Sequence, residues 1–96
     1  MPLAMATVHL TRHLHALFPQ FAGKEVVVEG HSAAAVVRAL DGLAPGLGFY
    51  ICDEVGRLRP HVNIFVAKQA LKDRKALTDP VQPHDEVHIL QALSGG

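Results

Sequence analysis

The stretch Ser32-Ala-Ala-Ala-Val-Val-Arg-Ala-Leu-Asp-Gly-Leu43 decides the fold class, because it carries the clearest helical pattern in the chain. Ser32 suits an N-cap: its hydroxyl accepts from a first-turn N–H that has no intrahelical partner. Val36, Leu40 and Leu43 recur at i, i+4 and i+7, with Val37 and Ala44 widening the stripe, while Arg38 and Asp41 fall opposite. Pro45-Gly46 stops the helix. A single apolar stripe of this length asks for one apolar sheet face to cover it.

The flanking segments supply the strands. Ala6-Thr-Val-His-Leu10 alternates weakly and reads as the first, and Lys24-Glu-Val-Val-Val-Glu29, ended by Gly30, as the second. Between them Leu10, Leu14, Leu17 and Phe18 fit a short helical turn limited by Pro19, and Gly23 marks a turn. Leu47 to Arg59 reads as loop-rich, with a turn at Asp53-Glu-Val-Gly56. His61-Val-Asn-Ile-Phe-Val-Ala67 then alternates cleanly, with Val62, Ile64 and Val66 on one face and Asn63, Phe65 and Ala67 on the other. Lys68 to Val81 is mixed, with Leu71 and Leu77 as anchors and Asp79-Pro80 as a turn. Glu86 to Leu93 closes the chain as a strand: Val87 and Ile89 face one way, His88 and Leu90 the other. The order β-β-α-β-(irregular)-β predicts an α+β fold, a mixed sheet of four to five strands packed on one main helix.

Ninety-six residues make one domain, 1–96, and the 49% apolar fraction is enough for a core built from Val, Leu, Ile and Ala, since Trp is absent. Nine basic and nine acidic residues cancel, so nothing in the charge balance points to nucleic acid or an anionic membrane. No apolar run approaches the ~20 residues of a membrane span, and the opening Met1-Pro-Leu-Ala-Met-Ala lacks the basic start of a signal peptide. Cys52, the single cysteine, excludes an internal disulfide and suits a reducing compartment; the expected location is cytoplasmic. Without a base or basic cluster beside it, Cys52 reads as a small buried hydrophobe. His9, His13 and His15 lack Cys or carboxylate partners at ligand spacing and read as surface histidines, not a zinc site. His61 and His88 lie on strands, facing solvent or each other. No phosphate loop, paired-carboxylate site or nucleophile elbow is present, so an enzyme is not expected.

Glu86 to Leu93 is followed by Ser94, Gly95 and Gly96. Alone, a terminal Gly-Gly is as well explained by a frayed end. Beyond a closing strand, it also makes a slender tail, 94–96, that extends about 10 Å and ends in a carboxylate.

The element order and this ending together resemble the ubiquitin-like β-grasp in its sulfur-carrier branch, the MoaD/ThiS type. Four stretches carry the resemblance: Pro45-Gly46-Leu47, Gly56-Arg-Leu-Arg-Pro-His-Val-Asn-Ile-Phe-Val66, Asp85-Glu-Val-His-Ile89 and Gly95-Gly96. Ile64-Phe65, Lys68-Gln69, Asp73-Arg74 and Leu77-Thr-Asp79 are similar, in order, to ubiquitin itself. The chain departs from the branch at Ala67-Lys68, where such carriers usually have Asn and Gly, which leaves that turn and its register open.

The resemblance implies a chemistry. An E1-like adenylating enzyme, using its own ATP and Mg, would convert the Gly96 carboxylate to an acyl-adenylate. Sulfur would then displace the adenylate to leave a thiocarboxylate. Gly96 is the reacting residue and Gly95 the access residue, since a side chain at either would obstruct a narrow channel. The carrier would hold no cofactor permanently and would pass sulfur to a synthase or sulfurtransferase. Molybdopterin, thiamine and cysteine pathways all use such carriers; Ser94 and the His61-Val62-Asn63 approach lean toward the generic or cysteine-pathway kind. Two other readings stand beside this one: a modifier joined through Gly96 to target lysines, and a β-grasp binding module whose tail is dispensable.

Partner contact is expected through Phe65 and Leu90, which alternation points away from the helix, with Leu93 and Ser94 at the tail base. Two alternatives stay open for the Phe65 strand. Phe65 is tucked under the Leu71–Leu77 segment, or the ubiquitin-like alignment turns Ile64 outward instead. The free protein is expected to be a monomer.

Overall fold

A computed structural model of the protein describes residues 4–21 and 25–91. Strand β1 (Met5–Leu10) leads into the short helix α1 (Arg12–Leu17) and a 3-10 turn (Pro19–Phe21), then β2 (Val26–Glu29). The main helix α2 (Ala33–Leu43) follows, then α3 (Leu47–Ile51), β3 (Val62–Val66), β4 (Gln69–Ala70) and β5 (Glu86–Gln91). The sheet order is β2-β1-β5-β3-β4. β1 and β5 run parallel and the other neighbours antiparallel, so the first and last strands lie side by side in a mixed five-stranded sheet.

Alternation places the core. Ala6, Val8 and Leu10 of β1, Val62, Ile64 and Val66 of β3, and Val87 and Ile89 of β5 join Val36, Val37 and Leu40 of α2 in one buried cluster. Ile64 is 1% exposed, so the inward face of β3 is the one its own alternation predicts and not the one the ubiquitin alignment would give. Leu71 and Leu77 are core anchors as expected. Phe65 is partly exposed and lies outside that cluster, so it is not tucked beneath them.

The irregular stretch before β5 serves the helix. Three donors in the first turn of α2 have no intrahelical acceptor, and each finds one elsewhere. The Ser32 hydroxyl accepts from Ala35 N at 3.1 Å, the Asp79 carbonyl from Ala33 N at 3.0 Å, and the Leu77 carbonyl from Ala34 N at 2.9 Å. The expected Asp79-Pro80 turn is therefore a correction: Pro80 forms a bridge with Ser32, and the Asp79 carboxylate accepts from the N–H groups of Lys72 and Asp73.

A second correction concerns Leu47 to Arg59, which is helical over its first five residues. The Asp41 carboxylate, one helix earlier, accepts from Gly46 N at 3.1 Å and Gly48 N at 2.9 Å and so starts α3. Leu47 and Ile51, four apart, are its buried side. The Asp53–Gly56 turn forms as expected, closed by Gly56 N donating to Asp53 O.

The family departure at Ala67-Lys68 is settled by backbone geometry. Phe65 pairs with Ala70 and Val66 with Gln69, leaving a two-residue hairpin loop. Ala67 (φ 49) and Lys68 (φ 71) both adopt the left-handed conformation that a type I′ turn demands. The register is kept without the usual Asn-Gly, and the cost is left in the backbone. β4 is the edge strand this hairpin creates.

Candidate functional site

The sheet face away from α2 is built by the odd-numbered residues of β1 and β3 and the even-numbered residues of β5. His88 lies between His9 and Phe65 in register, and Leu90 is opposite Asn63. Leu90 is 39% exposed and Phe65 partly so; both point where the alternation places them. Val27 of β2, 41% exposed and paired with Thr7, continues the face toward the far edge.

Histidine and carboxylate chemistry frames this patch. The His9 and His88 rings stack at 4.5 Å, and His9 Nε2 lies 2.8 Å from Glu86 Oε1. Parallel pairing of β1 and β5 brings the two rings together on the outward face, so His88 stacks on His9 and not on His61. The result is an apolar strip, Phe65 and Leu90, with a polar margin of Asn63, His88, His9 and Glu86. Such a composition fits protein contact, where an apolar centre excludes water and a polar rim sets register. Among the described residues no group of three or more His, Cys, Asp or Glu could hold a metal ion.

At the end of β5 a second cluster appears that the sequence did not flag. Gln91 Nε2 donates to Tyr50 Oη at 3.3 Å, and His13 Nε2 lies 3.1 Å from the same oxygen. The Tyr50 ring meets Phe18 edge-on, with centroids 6.3 Å apart. Neither periodicity nor motif marks Tyr50, because its partners are 37 and 41 residues away. The one signal was Gln91, a polar residue on the inward parity of a strand whose other inward residues, Val87 and Ile89, are apolar. His13 is on a helix, so it does not share an extended face with His15.

Leu93, Ser94, Gly95 and Gly96, the remaining expected site residues, lie outside the described residues. Gln91, the last described residue, pairs with Val62, next to Leu90 of the apolar strip.

The opposite side of the molecule carries a shallow groove of about 780 Å³ between α2 and the α3 region, with Val37, Leu77 and Cys52 on its floor and Phe49 at its edge. Burial pushes the Cys52 thiol up from its ordinary range, the Asp53 charge adds to this, and Arg59 opposes it. A thiol held protonated is a poor nucleophile, consistent with the reading of Cys52 as a buried hydrophobe.

No protein-family model and no curated protein matches the chain. Solved structures do. A chain of the Amycolatopsis orientalis BexX/CysO complex superposes with a TM-score of 0.81 at 21% identity, over 95% of this chain and 99% of that one. Mycobacterium tuberculosis CysO matches at 0.78 and 26% identity, over 92% and 99%. The small archaeal modifier protein 1 (SAMP1) of Methanosarcina acetivorans matches at 0.75 and 23% identity over the whole of both chains. The family resemblance read from the sequence is met at the level of architecture: the chain has the ubiquitin-like β-grasp fold of MoaD/ThiS-type proteins.

Proposed function

We propose that this protein is a ubiquitin-like sulfur carrier that works as the substrate of an E1-like adenylating enzyme. The observation that carries the reading is one of placement: Phe65, His88 and Leu90 lie together on the outward face of β3 and β5, and residues 92–96 follow β5 in sequence. One strand thus offers a grip for a partner and delivers the reacting end to it.

The Gly96 carboxylate attacks the α-phosphorus of ATP, releasing pyrophosphate and leaving an acyl-adenylate. Hydrosulfide attacks the acyl carbon and AMP departs, giving a thiocarboxylate. On a synthase or sulfurtransferase in cofactor or amino-acid biosynthesis, that soft nucleophile attacks an activated carbon of the acceptor and displaces its leaving group. Water then cleaves the resulting thioester, leaving the sulfur on the acceptor and restoring the Gly96 carboxylate. ATP and Mg belong to the activating enzyme, and this chain contributes the Gly95-Gly96 terminus. The structural likeness to a chain of the BexX/CysO complex supports a protein partner, and no helix among the described residues is long and apolar enough to cross a membrane. A cytoplasmic monomer fits this role.

The likeness to a protein named as a small archaeal modifier favours a second reading, in which the activated Gly96 is joined as an amide to target lysines. Both readings share the adenylation, and the product separates them. Intact-protein mass is measured after incubation with ATP, a sulfide source and host extract. A sulfur-for-oxygen gain localised to the C-terminal peptide is expected. Lysine-linked conjugates without that gain would select the modifier, and neither product, with the tail intact, would refute both.

A further inference from the structure

Charge is unevenly distributed along a chain whose formal net charge is zero. Residues 57–79 hold six of the nine basic residues and two of the nine acidic ones, a net of +4, and the remainder carries the balancing −4. Sheet order turns this into a spatial separation. β3 and β4 form one side of the sheet, and β2, preceded by Glu25 and ending in Glu29, forms the other. Lysines at an edge strand discourage edge-to-edge pairing, which accounts for Lys68 beside β4. It does not account for Lys72, Arg74 and Lys75, which lie beyond that strand.

The two carboxylates of the segment are occupied by its own backbone. Asp73 accepts from the N–H groups of Lys75 and Ala76 at 3.0 Å and from the Thr78 hydroxyl at 2.6 Å, and Asp79 accepts from the N–H groups of Lys72 and Asp73. Lys72 and Lys75 are exposed. Arg74 is clamped: Nη2 donates to the carbonyls of Arg59 and Val62, both at 2.8 Å, and Nη1 donates to Asn63 Oδ1 at 3.1 Å. Asn63 pairs with Leu90 on the outward face, so the guanidinium borders the apolar strip. Its three acceptors are neutral oxygens and take three of its five N–H groups, and no ion pair to it forms among the described residues. Arg57 leans on Asp53 at 3.5 Å and Arg59 on the Phe49 ring at 5.0 Å, which turns those two charges toward α3. A guanidinium already fixed by carbonyls loses little freedom when it meets a carboxylate.

We propose that Arg74, with Lys72 and Lys75 beside it, is a carboxylate-reading margin of the outward strip, and that the partner presents there an acidic segment with an apolar side chain for Phe65 and Leu90. The apolar contact seats the segment and the carboxylate sets its direction. Glu86, exposed at the far end of β5, repels the reversed placement. The inference rests on the reading of Phe65 and Leu90 as a docking strip, not on the fate of Gly96.

Random-sequence peptides displayed on phage are selected against the full chain, and the enriched peptides are titrated into ¹⁵N-labelled protein. Enrichment of Asp or Glu next to an apolar residue is expected, with shifts at the amides of Asn63, Phe65 and Leu90 and at Arg74 Nε–H, which reports the guanidinium directly. Arg74→Gln also breaks the clamp on β3, so the charge is reversed instead at two exposed positions outside the core, Lys72→Glu with Lys75→Glu. That pair should weaken peptide binding about 10-fold or more at low salt, and the difference from wild type should shrink at high salt while Tm changes little. Neutral or basic peptides, no enrichment, shifts confined to other faces, an unmoved Arg74 Nε–H or undiminished binding by the double variant would each overturn the proposal. So would a diffusion coefficient that falls with protein concentration in the absence of peptide, which would make the acidic β2 edge of a second copy the occupant. Peptide binding needs no adenylation, so a failed carrier reading and a failed charged margin are told apart.

Discussion

Replacing Ala67-Lys68 by Asn-Gly should make the protein more stable, although it removes a methyl-bearing and a charged residue. Both positions hold positive φ, 49° and 71°, in the two-residue loop between β3 and β4. A side chain in that region crowds the following carbonyl at about 1–2 kcal/mol per residue. Glycine at 68 removes the clash but frees the unfolded chain, which takes back about 0.4–1 kcal/mol. Asn at 67 tolerates the conformation better than Ala and keeps the N–H that donates to the Glu86 carbonyl at 3.0 Å. Ala67 and Lys68 are both exposed, so no packing is lost. The balance is a gain of about 1 kcal/mol, or about 4–8 °C in Tm for a domain of this size. Urea unfolding monitored by far-ultraviolet circular dichroism measures it, with the slope m expected to stay constant. A control, Ala67→Val, places a β-branched side chain in the same conformation and should lose at least about 1 kcal/mol. A midpoint that is unchanged or lower for Asn-Gly at constant m would refute the assignment of strain to this turn.

Three further outcomes are expected. Gly30→Ala would place its Cβ 2.9 Å from Val36 N and 3.2 Å from Ala35 C, backbone atoms that cannot yield, and should cost about 1–3 kcal/mol in a denaturation midpoint. The Asp73 carboxyl is held at about 2, first by the Thr78 hydroxyl at 2.6 Å and then by the Ala76 N–H. A depressed native pKa contributes stability above the ordinary value of 3.8 that is lost as pH falls through about 2, so Tm should drop across that window and Asp73→Asn should flatten the drop. Phe65→Ala and Leu90→Ala should each weaken binding to an activating enzyme by about 10-fold or more, measured by calorimetry, while Tm moves little because neither side chain is in the core; undiminished binding would remove the outer strip as the docking face.

Much of this architecture was written locally. The Ser32 cap and the Ala33–Leu43 helix follow from a hydroxyl, a 3.6-residue stripe and Pro45-Gly46, and the structure starts and stops the helix at those residues. The inward sides of β3 and β5 follow from strict alternation, which needs no knowledge of neighbours. It even outweighed the ubiquitin alignment at Ile64. The outward positions of Phe65 and Leu90 were legible for the same reason. What escaped was whatever a distant residue creates. α3 is too short for a periodic signal and starts where the Asp41 carboxylate meets Gly46 and Gly48. Asp79 looked like turn chemistry, yet its carbonyl and carboxylate serve α2 and the segment at Lys72.

The sequence by itself determined which faces are apolar, where the main helix lies and that Gly95-Gly96 follow the last strand segment, because patterning and composition are properties of consecutive residues. Only the tertiary structure decided the rest. It stacked His9 on His88 by laying the first and last strands in parallel, forced Ala67 and Lys68 into a left-handed turn to close β3 onto β4, and brought Tyr50 to Gln91. The stack and the Tyr50–Gln91 contact join residues remote in sequence, the turn is strained by hairpin pairing, and their free energy exists only once the sheet is assembled.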